Sequence, residues 1–332
     1  MSDVTSPQAV VCIPTFRRPA GLKKTLESLA AQIGVEHFAV VVVENDAQKL
    51  EGKQVAEAVF ASQLLSGFAV IERKQGNCSA INTAFRTARD RFPAAELFLM
   101  IDDDEEAAPT WLAEIIETAR STTADLVGGP VVRRFEGDAS ASLQKHPLFH
   151  STVTKSGEIA SLHGTGNCLV RRRVLEALGE PTLDPRFNFL GGGDMDFFTR
   201  CRVAGFKSHW NQDATVFETV PVQRTKAKWV FGRSIATGVI NYTIDRKRHP
   251  GRLGAAWLVL KNLISLGIAP LRAVKALLAT GHWLPASHPL GLSIGRNLAA
   301  LGLAPTPYKA ANVTPLFEIA PDNAGQTRPA ER

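Results

Sequence analysis

The chain has 332 residues, 45% of them hydrophobic and 21% charged, with a formal net charge of +6. Those proportions exclude a disordered chain and a fibrous repeat, and the length suits one large domain with an appendage or two ordinary domains. The positive balance suits an anionic partner such as a nucleotide diphosphate or a phospholipid surface, and the lack of helix-turn-helix, zinc-finger or aromatic-basic patterns argues against nucleic acid.

Segment 1–8 has no basic-then-apolar leader and reads as a flexible N-terminus. The four scattered cysteines, Cys12, Cys78, Cys168 and Cys201, have no CxxC spacing, so free thiols in a reducing cytoplasm are expected. From Ala9 short apolar runs alternate with amphipathic stretches, the pattern of βαβ units and a mainly parallel sheet. Ala9 to Pro14 reads as the first strand. Pro19 opens a helix with Leu22, Leu26, Leu29 and Ile33 on one face, and Ala39 to Glu44 is the second strand. Ala69 to Glu72 and Leu97 to Asp102 read as further strands, flanking a helix with Ile81, Ala84, Phe85 and Ala88 inward. A helix over Thr110 to Arg120 and a strand over Leu126 to Val132 follow, and Phe135 to Ser161 shows no period and reads as loop.

In an open sheet of this kind ligands bind beyond the carboxyl ends of the strands, near the reversal of strand order. The residues there are Thr15 and Arg17, then Glu44, Asn45 and Asp46, then Asp102, Asp103 and Asp104. Carboxylates leaving a buried strand suit Mg²⁺ or Mn²⁺ on a diphosphate, and the alternative reading of this cluster is a solvated acidic turn capping the helix at Thr110. A second candidate is Gly191-Gly192-Gly193-Asp194, where Asp194 stands in the first turn of a helix as a general base or as an ordinary cap.

Six ordered pieces then stand together: Ile13 to Pro19, Val43 to Asp46, Asn77 to Asn82, Ile101 to Glu105 with Pro109 and Trp111-Leu112, Gly166 to Arg172, and Gly192 to Phe198. In order and spacing they resemble glycosyltransferase family 2, the inverting enzymes of GT-A type, and most closely its succinoglycan-type branch of exopolysaccharide assembly. The resemblance spans Ala9 to about Gly238. It implies an α/β nucleotide-binding fold, a nucleotide-diphosphate sugar donor, Mn²⁺ or Mg²⁺, and a polysaccharide or lipid-linked acceptor. Carried over by position, it implies that Pro14, Thr15, Arg17, Glu44, Asn45, Asp46, Asn82, Asp102 and Asp103 bind the nucleotide sugar. Asp104, with Asp102, matches the metal-binding DxD motif, and Asp194 the catalytic aspartate. Asn167, Gly192, Gly193, Glu218, Arg224 and Arg233 fall on the acceptor or diphosphate side. Three positions depart from the family pattern: Asn45 where an acidic residue is common, Ile81 where arginine often stands, and Gly193 in place of a glutamate. Two other readings stay open, a sugar-phosphate nucleotidyltransferase and a non-catalytic nucleotide-sugar or membrane-binding scaffold.

The expected division is a catalytic domain over 9–240, a helical extension over 241–305 and a disordered tail over 306–332. From Leu253 to Leu301 the chain is rich in Leu, Ala, Ile and Trp, but Lys261, Arg272 and Lys275 interrupt it, which argues against a spanning helix. Amphipathic helices beside Arg246-Lys247-Arg248 and Arg252 are expected to lie against the inner face of a membrane or to pack on the core.

Overall fold

A computed structural model describes residues 7–303 apart from Glu36 and Thr152, so the expected tail over 306–332 and most of segment 1–8 lie outside the described residues. The chain opens with β1 (Ala9–Thr15), α1 (Pro19–Ala30), β2 (Phe38–Glu44), α2 (Glu51–Ala61), β3 (Gly67–Ile71), α3 (Asn77–Arg91) and β4 (Leu97–Ile101). After β5 (Glu105–Ala107), α4 (Trp111–Ser121), β6 (Leu126–Gly128), β7 (Val131–Phe135) and α5 (Ala141–Gln144) come β8 (Gly157–Ile159), β9 (Asn167–Arg171) and α6 (Arg172–Leu178). The rest is α7 (Gly193–Val203), β10 (Ser208–Trp210), β11 (Val216–Val220), α8 (Ala227–Arg248), α9 (Gly251–Thr280) and α10 (Trp283–Ala300).

Eight strands form the main sheet in the order β3-β2-β1-β4-β9-β6-β10-β8, and β5-β11-β7 form a second, smaller sheet. β1 pairs in parallel with β2 and β4, whereas β9 is antiparallel to both β4 and β6. Strand order reverses at β1 and β4, so the crevice beyond their carboxyl ends is the natural ligand site. The two-residue period of β1 sorts its side chains between two cores: Val10 and Cys12 pack towards α3 and α7, Val11 and Ile13 towards α1 and α4.

Three expectations change. The first helix ends at Ala30, leaving Ile33 58% exposed beyond it. The run from Leu126 to Val132 is two strands in two different sheets, broken at Gly129-Pro130. A Cβ on Gly129 would lie 2.0 Å from the Ala214 carbonyl oxygen, so the backbone passes there only because the residue is glycine. The stretch from Phe135 to Ser161 carries α5 and the edge strand β8, too short to leave a period.

Position 240 falls inside α8, so that helix bridges the expected division: Ile240 and Ile244 pack into the same core as α3 and α7. α10 packs on α8, and α9 packs chiefly on α10 as the outermost layer. By length and composition alone α9 is long and apolar enough to cross a membrane, although it contains Arg252, Lys261, Arg272 and Lys275.

Candidate active site

The acidic cluster leaves β4 and divides at once into inward and outward carboxylates. Asp103 is buried and accepts hydrogen bonds from Thr15 Oγ1 (2.9 Å), the Phe16 amide (3.2 Å) and Arg18 Nη1 (2.8 Å). It therefore joins the ends of β1 and β4. Gly21 lets α1 approach this corner, since a Cβ there would lie 2.5 Å from the Asp103 carbonyl oxygen. Asp102 and Asp104 are partly exposed. Asp104 faces Arg18 Nη1 at 2.8 Å and Arg224 Nη2 at 3.8 Å. Burial, then the charges of Asp104 and Asp103, push the Asp102 carboxyl up to about 7. Buried Glu105 accepts the Asp102 amide at 2.9 Å, and its carboxyl is pushed well above the usual range by burial and by Asp102. Gly166 leaves it room, because a Cβ there would meet Glu105 Oε1 at 2.4 Å.

The neighbouring wall is built by β2. Glu44, expected at the base or ribose, is buried and accepts the amides of Asp46, Gly52 and Lys53, which caps α2. Burial raises its carboxyl above the usual value. Asn45 donates to the carbonyls of Glu72 and Lys74 and accepts the Gly76 amide at 2.7 Å. This use of both amide groups explains why an amide and not a carboxylate stands there. Asp46 pairs with Arg17 Nε at 2.7 Å, and Arg17, at φ 56°, turns back over Phe16. Pro14 is buried within β1. Asn82 exchanges two hydrogen bonds with the Leu183 backbone, at 2.8 and 2.7 Å, and Ile81 is sealed in the core. Glu44, Asn45, Asp46, Asn82 and Asp103 are thus buried and held by neighbouring groups; Arg17 is exposed, and Asp102 and Asp104 are partly exposed.

Asp194 stands in the first turn of α7, partly exposed, and its charge is among those that raise Asp102. The Asp194 charge thus reaches the Asp102 carboxyl from the first turn of α7. Burial raises the Asp194 carboxyl, opposed by hydrogen bonding to Met195 and by the charges of Arg233 and His163. Gly192, at φ 84°, packs on Ile240, and a Cβ on Gly193 would lie 2.4 Å from Cys78 Sγ. A glutamate before Asp194 has no room in this chain. Asn167 is buried on the inner side: it accepts from Trp111 Nε1 at 2.8 Å and donates to the carbonyls of Pro130 and Ala214. Asp196 is buried and pairs with Arg200 and, at 2.8 Å, with Lys247 of α8.

The second sheet supplies the far wall. Register places Glu218 opposite both Glu105 and Arg133. Glu218 pairs with Arg224 at 2.9 Å and with Arg133. Burial lowers the Arg133 guanidinium, and Glu105 and Asp104 counter it. Arg18, Glu105 and Arg133 are site residues that the sequence analysis did not assign. Arg18 lay one position beyond an assigned strand-end residue, and Arg133 one position beyond the expected end of a strand.

Among the described residues no three His, Cys, Asp or Glu side chains form a ready metal cage. Mg²⁺-type sites commonly use one or two carboxylates and complete their shell with substrate phosphate and water. Asp102 and Asp104 offer that donor set, and besides burial the charges of Asp104 and Asp103 raise the Asp102 carboxyl, a local negative charge that a cation would relieve.

The chain matches the model of glycosyl transferase family 2 over residues 10–179. It is 33% identical over 252 residues to the succinoglycan biosynthesis protein ExoM of Rhizobium meliloti (strain 1021), covering 73% of this chain and 76% of that protein. It is 27% identical over 224 residues to the O-antigen biosynthesis protein RfbC of Myxococcus xanthus, which spans 61% of this chain but only 16% of RfbC. In fold it is similar to the mannosyltransferase PcManGT from Pyrobaculum calidifontis, solved with GDP-Man and Mn²⁺ (TM-score 0.58, 19% identity, 89% of this chain and 88% of that one). It is likewise similar to S. aureus TarS 1-349 solved with UDP (TM-score 0.53, 14% identity, 89% and 92%). Fold, motif order and family match agree: the chain belongs to glycosyl transferase family 2 and is a glycosyltransferase with a GT-A fold.

Proposed function

We propose that the protein is a metal-dependent inverting hexosyltransferase. It moves a hexose, with glucose the first candidate, from a UDP-sugar to a polysaccharide or lipid-linked oligosaccharide in surface polysaccharide assembly. The reading is supported by the placement of the carboxylates: Asp102 and Asp104 stand at the exit of β4, and the charge of Asp194, in the first turn of α7, acts on Asp102. The relatedness to ExoM supports the exopolysaccharide setting.

Asp104 and Asp102 would hold Mn²⁺ or Mg²⁺, which neutralises charge on a diphosphate when bound. Arg224, and Arg133 behind it, add positive charge on the same side. Across the cleft, Asp194 takes the proton of the acceptor hydroxyl as that oxygen bonds to the anomeric carbon. The bond from the anomeric carbon to the diphosphate oxygen breaks in the same displacement, so the nucleoside diphosphate leaves with the electron pair and configuration inverts. The raised Asp194 carboxyl favours this role, because a base of higher pKa accepts a proton more readily.

Incubation with UDP-sugars and Mn²⁺ tests the reading through release of UDP, slow with water and faster with an acceptor glycan. A protein that binds UDP with Mn²⁺ yet releases none from any UDP-hexose would be a scaffold.

A further inference from the structure

α9 carries a surface that the catalytic reading leaves unused. It is 30 residues long, about 45 Å at 1.5 Å per residue. One face, with Leu258, Asn262 and Ala269, is buried. At 3.6 residues per turn, Leu253, Leu260, Ile264, Leu271 and Leu278 form a stripe on the opposite side, and Leu253 and Leu278 are 89% and 81% exposed. Soluble surfaces rarely leave so long an apolar strip uncovered. Lys261, Arg272 and Lys275 flank the stripe along one edge. From Arg246 through Leu303 the sequence has eight Lys or Arg and no Asp or Glu. Arg246, Arg248 and Arg252 stand exposed at the helix's start.

A polar clasp fixes how α9 is held. Asp245 of α8 accepts from Arg296 of α10 at 2.8 Å and from Lys261 of α9 at 2.7 Å. Asn262 of α9 accepts from Arg296 Nε at 3.1 Å. Asp245, Asn262 and Arg296 are buried. A helix leaving this bundle to cross a bilayer would break the clasp and carry Lys261 and Asn262 into hydrocarbon. The helix satisfies the length and composition of a span while its packing opposes one.

We infer that the outer stripe of α9 is a docking surface for an anionic lipid bilayer, on which the helix lies parallel to the membrane plane, held to the catalytic domain by the Asp245–Arg296 clasp. The apolar stripe enters the acyl boundary and the basic edge meets the headgroups. Exposed Arg246, Arg248, Arg252, Arg272 and Lys275, outside the ion pairs that hold Lys247, Lys261 and Arg296, favour this occupant over a second copy of the chain, whose identical stripe would bring like charges together. The inference rests on the surface of α9 and not on the chemistry of the cleft.

The test is flotation of the full-length protein with vesicles of phosphatidylcholine, alone or mixed with phosphatidylglycerol. Binding is expected only to the anionic vesicles, falling about tenfold between roughly 0.1 M and 0.5 M salt, and reversed by carbonate. The variant Leu260→Glu/Leu271→Glu should stay unbound while keeping the wild-type melting temperature and its Mn²⁺-dependent response to UDP. Arg272→Gln/Lys275→Gln, which leaves the stripe intact, should weaken binding and flatten its salt dependence. Protein that resists carbonate, or that ignores anionic vesicles and forms a dimer abolished by Leu260→Glu/Leu271→Glu, overturns the inference. A lost UDP response in the wild type would count against the transferase reading and leave the lipid result standing.

Discussion

In the proposed mechanism Asp194 and Asp104 divide the chemistry, and substitution separates their roles. Asp194→Asn keeps its size but cannot accept the hydroxyl proton. Donor affinity should persist while transfer falls by about two orders of magnitude or more. Parallel loss of donor affinity, measured by calorimetry, would assign Asp194 to the nucleotide instead. The pH profile adds a sign. Burial holds the Asp194 carboxyl above its ordinary value and the Arg233 charge pulls it down. The acid limb of the rate should therefore lie above the usual carboxylate range, and Arg233→Gln should move it to higher pH. If Arg233 instead grips the diphosphate, that variant would raise KM for the donor and leave the limb in place. Gly193 shows why a familiar glutamate is missing here. Gly193→Ala should cost about 1–3 kcal/mol by overpacking against Cys78, and less in a Cys78→Ala background, as denaturant melts would show.

Among the elements, the positions legible in sequence were those where chemistry and strand ends coincide. The motif order marked Asp102, Asp104 and Asp194; the first two stand partly exposed at the exit of β4, and Asp194 stands partly exposed in the first turn of α7, its charge acting on Asp102. Residue type alone did not reveal the structural partners of Glu44, Asn45, Asn82 and Asn167: Glu44 accepts the nearby amides of α2, whereas Asn45, Asn82 and Asn167 bond to backbone groups distant in sequence. Arg133 was hidden for a related reason, since Gly129-Pro130 splits one apolar run between two sheets and only the register of β7 against β11 brings Arg133 to Glu218. α8 spans the expected boundary because Lys247 reaches back to buried Asp196, a tie that no periodicity reports. The clasp at Asp245 makes an element-level prediction. Asp245→Ala leaves Arg296 buried without its carboxylate and should cost about 3 kcal/mol, with faster amide exchange in α9 and α10 than in the sheet. Uniform exchange across the molecule would mean that the three helices are not held by that charge.

For the whole molecule, the design is a sheet whose carboxyl edge carries Asp102, Asp103 and Asp104, with Asp194 at the start of α7, backed by a helical layer. The family and fold follow from that edge; the sugar, base and acceptor depend on loops and on substrates themselves. The central claim is that Asp102 and Asp104 bind the diphosphate through a divalent cation. The most direct measurement is UDP affinity by calorimetry with Mn²⁺ and with EDTA, for the wild type and for Asp104→Ala, with circular dichroism confirming the fold. The account predicts tight binding for the wild type with Mn²⁺ only, and weak, metal-indifferent binding for Asp104→Ala. Equal affinity with and without Mn²⁺ in the wild type, or Mn²⁺-dependent affinity undiminished in folded Asp104→Ala, would contradict it.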